Sequence, residues 1–129
     1  DAVENATNLL NLEYREGRYD ENRDFLNILI NKCTMMKVPG LSDCLVTISV
    51  AVHFCGDAIK TDNELLKSLY RLLLQYKDKD LRDLDLQVIQ AGHYLLVIDE
   101  FMGTTDLNDE NVEYWLNNTN LTRLNYLEF

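Results

Sequence analysis

Apolar residues recur through Leu81–Met102 (LRDLDLQVIQAGHYLLVIDEFM) at Leu81, Leu84, Val88, Ala91, Leu95, Ile98 and Met102. The steps alternate between three and four residues for three heptads, a period that lines one face of an α-helix and has no use on a strand. From Tyr94 onward, Leu96, Val97 and Phe101 place apolar surface on the other sides, so this end is expected to be enclosed by neighbours. At about 1.5 Å per residue the segment would be roughly 33 Å long, the width of a small domain. The pattern predicts a central helix over 81–102 with the remaining pieces wrapped around it.

The same period organises the flanking segments. Val3, Ala6, Leu9 and Leu10 form the inner stripe expected of a first helix over about 2–15, and Gly17 is a cheap left-handed stop. Phe25, Leu26, Leu29, Ile30, Cys33 and Met36 predict a second helix over about 21–36, which Pro39-Gly40 breaks. Thr61-Asp-Asn-Glu64 reads as a capping box. The helix it opens, about 62–77, would bury Leu65, Leu66, Leu69, Leu72, Leu73 and Tyr76. KDKDLRD is then a charged connector. After Gly103, Asn108 is the expected cap of a helix carrying Val112, Trp115 and Leu116, and Leu121, Leu124 and Leu127 predict a last turn or two.

Residues 42–55 fit two patterns. VTISVAVHF alternates strictly and is rich in β-branched residues, as a strand would be. Read as a helix, Leu41, Cys44, Leu45, Ile48, Val52 and Cys55 make an equally good stripe, with Ser42 as N-cap and Gly56 as terminator. A strand needs a partner, and its one candidate, HYLLVIDEF, already belongs to the heptad seam. Helix is therefore the preferred reading. The expected fold is all-α: residues 1–129 as a single domain of five to seven helices, in a compact bundle or a helical-repeat-like array.

Length and composition fit that picture. A chain of 129 residues, nearly half of them apolar, can bury a core without metal or disulfide help. No run of 18 apolar residues predicts a membrane span. The chain opens DAVENA without a Met, as a domain excised from a longer protein would. Its net charge of −10 is uneven: residues 83–129 hold nine acids and one base, Arg123. That field repels a phosphate backbone and attracts basic partners, which argues against nucleic acid. Cys33, Cys44 and Cys55 are an odd set at equal spacing. They predict buried free thiols in an intracellular, reducing compartment, cytoplasmic or nuclear. Sequons at Asn5, Asn117 and Asn120 point the other way, but a chain with 13 Asn produces some by composition alone.

Candidate chemistry is sparse. LLVIDE (95–100) has the form of a nucleotide-hydrolase acidic box, yet no glycine is followed by Lys as a phosphate loop requires. His53, Cys55, Cys44 and His93 lack the paired spacing of a zinc site, and nothing around them marks an activated thiolate. Residues 106–117 lack the central Gly and terminal Glu of a calcium loop. No cofactor is expected. What remains is recognition: Asp99, Glu100, Asp106, Asp109, Glu110 and Glu113 gather around one corner with Tyr114 and Trp115. Aromatic anchors inside an acidic rim suit a basic protein or peptide partner.

The expected function is a non-catalytic interaction or assembly module. It would bind a peptide, a helix or a basic segment, sequester an amphipathic partner helix, or self-associate through an apolar face. The alternative is a small α/β enzyme. There, 45–54 and 93–100 would be parallel strands around a crossover helix at 62–77, with Asp99 and Glu100 at the sheet edge.

Overall fold

The computed structural model describes residues 2–35, 40–77 and 86–105. Within them the chain forms α1 (Ala2–Arg15), α2 (Arg23–Cys33), α3 (Leu41–Ile59), α4 (Asn63–Lys77) and α5 (Leu86–Thr104), with a 3₁₀ turn at Asp20–Asn22 leading into α2. No strand occurs among the described residues, and the helices share one all-α core. Both segments that the α/β alternative needed as strands are helical, 45–54 in α3 and 93–100 in α5. That alternative therefore loses the sheet edge on which Asp99 and Glu100 were to act.

Burial explains why α3 coils despite its alternating sequence. Leu41, Cys44, Leu45, Ile48, Val52, Cys55 and Ile59 all face inward, and Thr47, Ser49 and Ala51 are buried beside them. A helix covered on most sides is apolar nearly all round, which blurs the contrast between periods of 2 and 3.6. α3 packs against α1, α2, α4 and α5, whereas α5 packs chiefly on α3 and secondarily on α4. The heptad seam does bury Leu95, Ile98 and Met102. The helix they enclose with their neighbours is α3. By length and composition α3 could also cross a membrane, but half of it lies beneath the other helices, as in the interior helix of a bundle.

Several polar groups inside the core are hydrogen-bonded. The Ser49 hydroxyl lies 3.0 Å from the Leu45 carbonyl in its own helix and 3.0 Å from the Tyr94 carbonyl of α5. The Tyr14 hydroxyl donates to the Asn22 carbonyl at 2.7 Å, and the Cys55 thiol donates to the Tyr14 carbonyl at 3.4 Å. Tyr14 is thus fixed at both ends and sets the rotation of α1. Among its described side chains Thr7 and Tyr14 are buried and Leu10 and Asn11 half-buried, while Leu9 and Ala6 of the expected stripe face outward and the Val3 side chain lies outside the described residues. In α2, Leu26, Ile30 and Cys33 are buried as the spacing predicts, but Phe25 is exposed.

The helix ends follow local chemistry. Gly17 takes φ 76°; its N–H bonds to the Tyr14 carbonyl, and the Arg18 N–H reaches back to that of Glu13. This double bond from a left-handed glycine closes α1 where the sequence places the stop. Gly40, at φ 71°, precedes α3 in the position expected for Ser42, and Gly56 lies inside the helix rather than ending it. α4 is capped by Asp62, whose Oδ1 accepts the Leu65 N–H at 3.2 Å, while the Thr61 hydroxyl turns back to the Ala58 carbonyl. Asp62 takes the cap from Thr61 because side chains from outside the helix also hold its carboxylate in place.

Candidate functional site

A groove of about 440 Å³ lies between the C-terminal halves of α3 and α5. Its shape starts from a local break. Cys55 has φ −117° and ψ 20°, outside helical geometry, so α3 bends immediately before Gly56. A Cβ added at Gly56 would stand 3.2 Å from Cε2 of Phe101. Glycine therefore lets the α5 ring rest against the α3 backbone at the base of the groove.

Phe54 and Val97 both line the groove and are 48% and 40% exposed. The His53 ring stands edge-on to Phe54 at 4.8 Å, and the Arg15 guanidinium of α1 sits 5.9 Å above the Phe54 ring. The charged lining comes from Asp57 and Lys60 on α3 and Glu100 on α5. At the far end the hydroxyls of Thr104 and Thr105 both donate to the Phe101 carbonyl, closing the last turn of α5. The result is an apolar patch flanked by both signs of charge. The nearby Cys55 thiol points away into α1, and burial raises it above the ordinary thiol range.

Of the acids expected at the recognition corner, Asp99 and Glu100 are described, and they face different ways. Glu100 lines the groove. Asp99 turns inward and is only 6% exposed, near enough to Tyr70 of α4 that its charge adds to the effect of burial in pushing that phenol up to about 12. One residue apart on a helix means about 100° of rotation, so two neighbouring acids cannot share one face. Asp99 is therefore buried while Glu100 beside it is exposed. Asp106, Asp109, Glu110, Glu113, Tyr114 and Trp115 lie outside the described residues, as do the expected helix from Asn108, the last turn at 121–127 and the His93 side chain.

Among the described residues no three His, Cys, Asp or Glu side chains converge as a metal-binding group. His53 is exposed, whereas Cys44 and Cys55 are buried. Phe54, Gly56, Val97 and Phe101 together belong to no sequence motif. The signal available for the site is one exposed apolar residue off the inward stripe of each helix, Phe54 on α3 and Val97 on α5. Comparison of the chain with protein-family models, with curated proteins and with solved structures finds no match.

Proposed function

We propose that this chain is a non-catalytic protein-interaction module of an intracellular assembly. Its groove between α3 and α5 takes a short apolar segment of a protein partner that also carries a basic residue. The observation behind this reading is the exposure of Phe54 and Val97 in one recess with Asp57 and Glu100 in its lining. Recessed apolar surface with a polar rim is a common mark of interaction sites, and helix-in-groove recognition needs just such a recess for its anchor residues. The net charge of −10 favours a basic partner and disfavours nucleic acid. Directly after Thr105 in sequence come Asp106, Asp109, Glu110 and Glu113 with Tyr114 and Trp115, which belong to the same proposal as an acidic, aromatic extension.

A photo-crosslinking residue at Val97, in the full chain, tests the reading against the same residue at Arg71, exposed on α4. Crosslinking to one identified protein from position 97 alone is expected, and Val97→Glu should weaken its binding by at least about tenfold, or ~1.4 kcal/mol. Equal yields from both positions, or unchanged affinity, would remove the groove from consideration.

A second reading has its own observation. Phe25, Ile28 and Met35 are exposed on and just beyond α2, at spacings that keep them on one side. Such a stripe suits self-association. A dimer in sedimentation that Ile28→Lys dissociates would favour it.

A further inference from the structure

Helix α2 turns one face away from the bundle. Leu26, Ile30 and Cys33 are buried on the side that packs on α3 and α4, whereas Asp24, Phe25, Ile28, Asn31, Lys32 and Met35 are all exposed. At about 100° per residue these six fall within an arc of roughly 120° centred on Ile28. Thr34 keeps helical angles, φ −65° and ψ −19°, so Met35 continues the face. Phe25, Ile28 and Met35 are each at least half exposed. The charges are ordered about them. Asp24 and Lys32 stand four residues before and four after Ile28, an acid and a base in one row with it. The Asp24 carboxylate meets Arg23 at 3.3 Å yet stays 91% exposed, so it can accept from a second cation. Acid first and base last also suits the dipole of α2, but that preference is met on any side of a helix. Here both charges flank the exposed apolar centre.

We propose that two copies of this chain associate through their α2 helices, antiparallel, about a two-fold axis at Ile28. The inference rests on the self-association reading above and adds its geometry. The two-fold brings position 24 of one copy opposite position 32 of the other, and Ile28 opposite Ile28. The dimer then holds two Asp24–Lys32 pairs, one at each end of the central isoleucines. A crossing of about −50° lays the i±4 rows of two helices alongside each other, so acid–apolar–base on one copy meets base–apolar–acid on its mate. A parallel pairing would set like charges together. A foreign helix would need the same two charges at the same spacing; a second copy carries them by symmetry. α2 has 11 residues and is roughly 16 Å long, so its face is smaller than the about 800 Å² per partner of a standard interface. The dimer is therefore a weak one that depends on concentration.

Sedimentation equilibrium of the full chain at low salt, up to about 1 mM, tests this. A monomer–dimer equilibrium is expected, and Ile28→Lys should raise its Kd at least about tenfold. Asp24→Lys and Lys32→Asp should each raise it at least about threefold, and the double reversal should return it to within about twofold of the parent. Salt of about 0.5 M should shrink the effect of the single reversals. In the unaltered chain, a zero-length carbodiimide crosslink should join Asp24 to Lys32 between isotope-labelled and unlabelled copies. Within one helix the two lie about 12 Å apart along the axis, too far for that bond. A parent that stays monomeric, or a dimer indifferent to Ile28→Lys, overturns the inference and the self-association reading together. A dimer that Ile28→Lys dissociates but that lacks the crosslink, or that the double reversal fails to restore, keeps the reading and overturns the antiparallel pairing. The crosslink decides the pairing even if a variant fails to fold.

Discussion

Arg23 holds Asp62 in a two-pronged pair, Nε donating to Oδ2 at 2.9 Å and Nη2 to Oδ1 at 3.1 Å. The Tyr19 hydroxyl adds a bond to Oδ2 at 2.7 Å, and the Leu65 N–H caps onto Oδ1. One carboxylate thus joins the 3₁₀ turn, the first residue of α2 and the start of α4. Its side chain is only 18% exposed, so the pair is better shielded from water than a surface ion pair. Asp62→Ala removes a helix cap worth about 1 kcal/mol and charge-assisted bonds worth roughly 1.5–3 kcal/mol. A loss of about 2–4 kcal/mol in urea unfolding is expected. A loss below about 0.5 kcal/mol would mean that water replaces these contacts at no cost.

The same residue predicts a pH dependence. Burial alone would raise the Asp62 carboxyl, but bonds from Arg23, Tyr19 and the Leu65 N–H outweigh it and hold it below the ordinary value. A carboxyl depressed on folding contributes its full stability above the unfolded pKa of about 3.9, and that contribution fades as pH falls through the folded value. The stability gap between the parent and Asp62→Asn should therefore be constant near neutrality and shrink below about pH 4. A gap unchanged down to pH 2 would show that no ionic contribution from Asp62 is present.

Leu95 shows how much of the fold the sequence carries. It sits on the heptad seam and is fully buried, so Leu95→Ala is expected to cost about 2–5 kcal/mol. A cost below about 1 kcal/mol would remove it from the core. Period alone gives helix type, the buried leucines of α4 and the stop at Gly17, because each follows from neighbours a few residues away. The centrality of α3 does not follow, since burial on all sides erases the amphipathic contrast that a period detects. Nor does the cap at Asp62, which depends on Arg23, 39 residues distant. The groove was legible only as Phe54 and Val97 standing off their stripes, and the inward turn of Asp99 only from helical rotation.

α1 tests the same point from the other side. Its spacing allows Leu9 inside, but the bonds that fix Tyr14 rotate Leu9 to 67% exposure. Leu9→Asn should therefore change stability by no more than about 0.5 kcal/mol. Tyr14→Phe should cost about 1–2 kcal/mol, because the Asn22 carbonyl loses its hydroxyl donor inside the core. The reverse order of these two effects in thermal unfolding would place the expected stripe back in the core.

Gly56 separates the groove from the fold. Replacing a helical glycine by alanine gains up to about 1 kcal/mol in propensity. Against that, the new methyl would meet Phe101 at 3.2 Å, so the ring must give by a few tenths of an ångström. Phe101 is only partly buried and borders open space, which lets the ring swing outward into the groove. Gly56→Ala should then leave stability within about 1 kcal/mol of the parent while lowering crosslinking from position 97, because the displaced ring narrows the recess. Gly103→Ala is the matched control: a Cβ there meets nothing within 4 Å, so crosslinking should persist. A stability loss above about 2 kcal/mol for Gly56→Ala would show that Phe101 is locked against α3. Undiminished crosslinking with the ring displaced would show that the partner does not enter between Phe54 and Val97.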